Sequence, residues 1–214
     1  MNYFGHAAVA SWETRGDELG RVALGAMLPD FSVMSGARIT SGGDPQIDRG
    51  VALHHATDAV FHTAPAVTGL FRETEARLVA RGCRRGPTRA AAHVGVELLL
   101  DGVLIDDAGH RAAYLAALAT DPAPVTWRED GDDARFATLF ARLRAYGVPD
   151  DLRRPRAAAE RIFRMLAGRK LLAPDAGERA AIADVLEEIA PRVAVAAETV
   201  IRQVEASLAL RAPG

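Results

Sequence analysis

Runs of strong helix-forming residues constrain most what this chain can fold into. Alanine, leucine, arginine and glutamate dominate segment after segment, whereas alternating runs of β-branched residues are scarce. The dominant residues favour helices because they lose little side-chain freedom there. Residues 88–104 are apolar on nearly every side, which is typical of a buried central helix. We therefore expect an all-α, single-domain multi-helix bundle that covers residues 1–214.

Prolines and glycines divide the chain into predicted helices. Pro29 predicts that the second helix ends just before it, because proline disfavours the helical conformation in the preceding residue. Residues 36–45, rich in Gly and Ser, predict a loop. Pro191 predicts a kink or a split in the long last helix. The predicted helices cover residues 2–11, 18–27, 45–61, 65–82, 88–104, 107–118, 136–146, 155–166 and 175–210.

Charge, cysteine content and hydropathy argue against several classes of protein. The formal net charge of −2 provides no electrostatic basis for binding nucleic acid or an anionic membrane. The single cysteine, Cys83, forms neither an internal disulfide nor a Cys-rich zinc site. No run approaches the roughly 18 apolar residues of a membrane span, and residues 1–6 do not resemble a signal peptide. These features predict a cytoplasmic protein without nucleic-acid or membrane partners.

One predicted helix carries two imidazoles and a carboxylate on a single face. His54, Asp58 and His62 lie at positions i, i+4 and i+8, which stack on one side of a helix. Imidazole nitrogens and carboxylate oxygens are the common protein ligands of divalent transition metals. The spacing therefore suggests part of a metal site.

A second predicted helix repeats this spacing with His93, Glu97 and Asp101 among apolar neighbours. If the two helices pack side by side, six candidate ligands face one another, as in the metal sites of helix bundles. Two further candidates are His6, on the first helix, and Asp30, directly after Pro29.

Simpler interpretations of these residues also fit the sequence. A histidine on a helix is often a hydrogen-bonded, partly buried side chain rather than a ligand. Asp58 also fits a surface carboxylate, and Glu97 and Asp101 also fit ion pairs with arginines. Pairs at i and i+4 are common in any long helical protein, so spacing alone does not choose between these interpretations.

Three motifs give the chain a resemblance to a known family. They are MNYFGH at residues 1–6, LGAMLPDF at 24–31 and GVALHHATD at 50–58. In this order they resemble the bacterial acyl-carrier-protein phosphodiesterases, which have a Met-Asn-aromatic start followed by a histidine, a Gly-x-x-x-x-Asp-Phe segment and a Gly-x-x-x-His-x-x-x-Asp helix. A later helix of that family carries Asp-x-x-x-Asp-His, and the corresponding stretch here is ELLLDG at residues 97–102. The C-terminal segment at 161–166 and the long last helix match that family loosely.

The resemblance implies a fold related to the HD-type phosphohydrolases and hydrolysis of the phosphodiester between phosphopantetheine and a serine of acyl carrier protein. The expected partner is that carrier protein or a small phosphoester. His62 or His93 is expected to act as the general acid, because imidazole titrates near neutral pH. Arg49 or Arg89 is expected to hold the phosphate. The implied divalent metal (Mn, Mg, Fe or Zn) would be held by residues at the motif positions, which are His6, Asp30, His54, Asp58, Glu97 and Asp101.

The chain departs from the family pattern within the expected site. Gly102 stands where the family has a histidine, Phe61 and His62 replace a Thr-Asp pair, His55 replaces an arginine, and Glu97 replaces an aspartate. These differences fit a retuned metal site in which His62 and His93 compensate, and they fit equally a different substrate or lost activity. Two alternatives therefore stay open, a helical binding protein that kept only the fold and a helical carboxylate-type redox metal protein.

Overall fold

The computed structural model describes residues 1–210, and these are mostly helical. Two short strands, β1 (Ile39–Ser41) and β2 (Thr126–Trp127), pair antiparallel with Ile39 opposite Trp127. Within the described residues no helix is long and apolar enough to cross a membrane. The helices are α1 (Tyr3–Glu13), α2 (Leu19–Ser35), α3 (Pro45–Phe61), α4 (Pro65–Ala80), α5 (Arg85–Leu104), α6 (Ala108–Ala119), α7 (Asp132–Tyr146), α8 (Pro155–Leu166) and α9 (Ala176–Ala209).

The predicted helices are found, two of them with the predicted ends. Helices α3 and α8 begin at a proline and end as expected, because proline is well placed in the first turn of a helix. Residues 95–102 of α5 are buried without interruption, which confirms the buried helix predicted there. Strand β1 lies in the segment predicted as a loop, and β2 lies between two predicted helices. Neither strand was predicted, because strands this short show no alternation in the sequence.

The predicted end of the second helix at Pro29 is wrong. Helix α2 continues through Pro29 to Ser35 and ends at Gly36, whose φ of 71° is left-handed. Phe31, beyond the proline, is fully buried against Phe136 and Phe140, at ring-centroid distances of 6.4 and 6.2 Å. Burial of this aromatic cluster outweighs the local cost of proline within a helix. Helix α9 likewise continues through Pro191 without splitting.

The described residues form two compact units, each built from two stretches of chain. Unit 1 consists of Met1–Ala59 and Leu104–Pro149, and unit 2 of Val60–Val103 and residues 150–210. In unit 1, α2 packs against α1, α6 and α7. In unit 2, α9 packs against α4 and α8. The organisation of residues 1–214 as one domain stays a prediction.

Two glycines let α2 and α3 approach closely in unit 1. A Cβ atom on Gly25 would overlap the carbonyl of Ile47, and one on Gly50 would overlap the carbonyl of Val22. Only a residue without a side chain permits this approach of the two backbones. The crossing sets the position of the next turn of α3, which carries His54.

Two glycines of α5 likewise permit close packing against neighbouring segments in unit 2. A Cβ on Gly95 would press on Leu186 of α9, and one on Gly102 would overlap the carbonyl of Leu152. Helix α5 therefore packs closely against its neighbours on the side opposite its polar residues His93 and Glu97. At Gly102 even a methyl group has no room, so no larger side chain fits at this position.

Candidate metal-binding groups

Three of the predicted metal ligands meet in unit 1. His6 of α1 lies beside His54 and Asp58 of α3, and one ligand atom from each lies within 4.8 Å of the others. We call these residues the Asp58 group. The two imidazoles are buried and stacked, with 3.8 Å between ring centroids, and Asp58 is half-buried. The group therefore joins residues from two helices that are far apart in sequence.

A backbone hydrogen bond orients the His54 ring. Nδ1 lies 2.8 Å from the carbonyl oxygen of Ala26 on α2. A carbonyl oxygen only accepts, so Nδ1 carries the hydrogen and donates it. In the neutral ring Nε2 is then an acceptor, and it lies 3.5 Å from Oδ2 of Asp58. A backbone carbonyl that accepts from one ring nitrogen, and so leaves the other nitrogen as an acceptor, is common for metal-binding histidines.

His6 interacts with Asp58 in a different way. Its Nε2 lies 3.0 Å from the Met1 carbonyl oxygen and 3.2 Å from Oδ1 of Asp58. Both neighbours are acceptors, so Nε2 carries a hydrogen and donates to them. The Met1 amino group donates to the same Oδ1 at 2.9 Å. These contacts indicate that His6 positions the Asp58 carboxylate and does not use Nε2 to bind a cation.

The charge states within the Asp58 group follow from its surroundings. Burial and the neighbouring His6 lower the pKa of His54 to about 3, so the ring is neutral at pH 7. Burial alone would raise the pKa of Asp58, but the hydrogen bond from His6 and the charge of the terminal amino group lower it well below its usual range. The group therefore presents a neutral imidazole and an ionised carboxylate.

A second group, in unit 2, combines His62, His93 and Glu97, again with one ligand atom of each within 4.8 Å of the others. We call it the Glu97 group. Nε2 of His62 and Nε2 of His93 lie 3.0 and 3.1 Å from the same oxygen, Oε1 of Glu97. Glu97 is buried, whereas the His93 side chain is 48% exposed. The carboxylate of this group is therefore buried, whereas one of its imidazoles is accessible to solvent.

An aromatic side chain that was not among the predicted site residues holds this second group. Phe71 of α4 stacks on His93 with 4.8 Å between centroids and 17° between planes. His93 stacks in turn on His62, at 4.8 Å and 22°. The apolar spacing of α4 predicts only that Phe71 is a core residue. Its stacking on a histidine of another helix could not be predicted, because the spacing along one helix contains no information about contacts between helices.

The Glu97 carboxylate is ionised despite its burial. Loss of solvent would raise its pKa, but positive charge nearby and the hydrogen bonds from His62 and His93 hold the pKa well below the usual range. A buried carboxylate with two imidazoles at hydrogen-bonding distance favours the binding of a cation.

The other predicted residues take varied positions. Asp30, half-buried on α2, and Asp101, fully buried one turn after Glu97, are not members of these two groups. Of the two candidate arginines, Arg49 lies 3.8 Å from Glu18, and Arg89 lines a cleft of about 330 Å³ beside His93. Convergence of all six predicted ligands on one cation, with His62 or His93 as acid, stays a prediction.

Comparison of the chain with family models, with curated proteins and with solved structures returned no match. The function is therefore inferred from the side chains described above and from the motif resemblance.

Proposed function

We propose that this chain is a metal-dependent phosphoester hydrolase whose cation is held at the Asp58 group. The observation that carries the proposal is the approach of His54 Nε2 to Asp58 Oδ2, at 3.5 Å. Because Nδ1 of His54 donates to the Ala26 carbonyl, these two facing atoms are both acceptors. Two ligands bound about 2.1 Å from one cation lie about 3.0 to 3.4 Å apart, so the observed separation suits a shared cation.

The protein residues around this position have distinct tasks. Ala26 holds the His54 ring in one tautomer, and His6 holds the Asp58 carboxylate by donating from Nε2. Burial of both imidazoles keeps competing water from these hydrogen bonds. A divalent cation at this position would supply Lewis acidity, polarising a phosphoryl oxygen and lowering the pKa of a water molecule.

The substrate class is proposed from the motif resemblance. It favours a phosphodiester, with the phosphopantetheine–serine linkage of acyl carrier protein as the first candidate, and an HD-type relationship of the helical fold. Of the four cations that the resemblance implies, imidazole ligands favour Zn and Fe over Mg and Mn. Asp30, which belongs to the same unit, stays a predicted additional ligand of this cation.

The test combines metal analysis with hydrolysis assays. Wild type, purified without a histidine tag, is expected to retain a divalent cation and to hydrolyse bis(p-nitrophenyl) phosphate or release phosphopantetheine from holo acyl carrier protein. His54→Gln is expected to lower kcat/KM by about 100-fold or more, which corresponds to roughly 2.7 kcal/mol of transition-state stabilisation. The matched control is His55→Gln, which removes the exposed neighbouring imidazole and is expected to leave activity unchanged.

The opposite result is equally well defined. A wild-type protein that binds no cation and hydrolyses neither substrate would contradict the proposal. It would favour the alternative of a helical binding protein that kept only the fold.

A further inference from the structure

We infer that His62, His93 and Glu97 form a second, separate centre for a divalent transition-metal cation in unit 2. The inference goes beyond the proposed hydrolase site, which uses the Asp58 group in unit 1. It also assigns His62 and His93 to cation binding instead of proton transfer.

The distances in the Glu97 group suit three ligands of one cation. His62 Nε2 and His93 Nε2 lie 3.0 and 3.1 Å from Glu97 Oε1, and the chosen ligand atoms are mutually within 4.8 Å. Ligands about 2.1 Å from a cation are about 3.0 Å apart at a right angle. Small movements of the two rings would therefore let a cation replace the two N–H···O hydrogen bonds.

The two rings are oriented before any cation binds. Phe71 stacks on His93, and His93 on His62, with interplanar angles of 17° and 22°. This stack turns both Nε2 atoms toward the same oxygen although His93 is half-exposed. Because the side-chain freedom is already restricted, binding loses less conformational entropy.

The donor types indicate the kind of cation. Two imidazoles and one carboxylate are a set that suits Zn²⁺, Fe²⁺, Co²⁺ or Mn²⁺, whereas Mg²⁺ and Ca²⁺ prefer oxygen ligands. The cleft beside His93, which Arg89 and Glu75 also line, provides a route for a hydrated cation from solvent.

The experiment measures Co²⁺ and Zn²⁺ binding to the full chain, purified without a histidine tag, by calorimetry and by Co²⁺ visible absorption. Wild type is expected to bind two equivalents of cation. His93→Gln and Glu97→Gln are each expected to lose one equivalent, or to weaken it by at least about ten-fold. His55→Gln, which removes an exposed histidine outside both groups, is expected to retain both.

Asp58→Asn separates this inference from the proposed hydrolase. This variant is expected to keep one equivalent, and the double variant Asp58→Asn/His93→Gln to keep none. One equivalent in wild type that depends on His93 but not on Asp58 would support the second centre and contradict the first. Unchanged binding in His93→Gln would overturn the second centre whatever the hydrolase assays show.

Folding of the variants does not obscure the result. His93 is half-exposed, so His93→Gln is expected to keep the far-UV circular dichroism and unfolding midpoint of the metal-free wild type. If Glu97→Gln unfolds because its burial is disturbed, His93→Gln alone decides the outcome.

Discussion

Gly102 illustrates how packing decides the identity of a single residue. In the structure the Leu152 carbonyl lies so close to the Gly102 α carbon that a Cβ would overlap it. This backbone contact in unit 2 therefore requires glycine at position 102.

Gly102→Ala is expected to destabilise the protein by about 1 to 3 kcal/mol, the usual cost of forcing extra atoms into a packed site. Urea denaturation measures the change. Gly69→Ala is the matched control, because Gly69 lies within α4 with open space around its α carbon. There alanine should stabilise the helix by roughly 0.5 to 1 kcal/mol. Equal effects of the two substitutions would contradict the packing explanation.

Glu178 at the start of α9 is expected to make stability depend on acid pH. Hydrogen bonding from Arg84 is the main cause that lowers its pKa to about 2. Because its folded pKa lies below the unfolded value near 4.5, this stabilisation is complete above pH 4.5 and is lost as the pH falls toward 2.

Glu178→Gln should therefore lower the free energy of unfolding by about 1 to 3 kcal/mol at pH 7. Its difference from wild type should shrink toward zero as the pH approaches 2. Denaturation curves at several pH values measure this convergence. The control is Glu205→Gln, which changes an exposed carboxylate of the same helix. A difference that stays constant from pH 7 to pH 2 would rule out the titration of Glu178 as the cause.

At the scale of elements, the crossing of α2 and α3 links the fold to the Asp58 group. Gly25 and Gly50 bring the two backbones together, and one residue after Gly25 the Ala26 carbonyl accepts a hydrogen bond from His54. The same contact that packs the helices thus orients a candidate ligand. The glycines of two sequence motifs have a common structural purpose here.

Gly25→Ala is expected to separate α2 from α3, because its Cβ would overlap the Ile47 carbonyl. We expect a loss of about 1 to 3 kcal/mol in stability and a weaker affinity for Zn²⁺ at the Asp58 group, by about ten-fold. Calorimetry on the folded variant measures the affinity. Gly69→Ala should leave it unchanged, and full affinity in Gly25→Ala would show that the crossing does not position His54.

At the scale of the whole molecule, each unit contains one histidine–carboxylate group built from helices distant in sequence. A ligand that binds such a group only in the folded state stabilises the fold by mass action. A cation bound at either group would therefore link its own affinity to the global stability, so that unfolding experiments can test the proposed binding.

Zn²⁺ at about 100 times its dissociation constant should raise the free energy of unfolding by about 2.7 kcal/mol for each independent site. A chelator should remove the gain, and Mg²⁺ should provide little, because imidazole ligands disfavour it. Thermal unfolding of wild type, Asp58→Asn and His93→Gln, with and without Zn²⁺, measures the contribution of each group. Identical midpoints with Zn²⁺ and with chelator would contradict a structural role for bound cation.

The helical fold and the faces of single helices were predictable from the sequence. Composition indicates helices, prolines mark the starts of α3 and α8, and the spacing of His54 and Asp58 puts them on one face, because these properties depend on neighbours within a few residues. The continuation of α2 through Pro29 was not predictable, since the burial of Phe31 against Phe136 and Phe140 outweighs the local preference.

The tertiary structure alone decided how the candidate ligands are grouped. His6 of α1 lies beside Asp58, and His93 and Glu97 of α5 lie beside His62, although His62 follows the end of α3 directly and is only four residues beyond Asp58. Spacing along a helix describes one face of that helix and says nothing of which distant helix covers it. That choice depends on contacts such as the Gly25–Gly50 crossing and the Phe71 stack, which form between residues far apart in the chain.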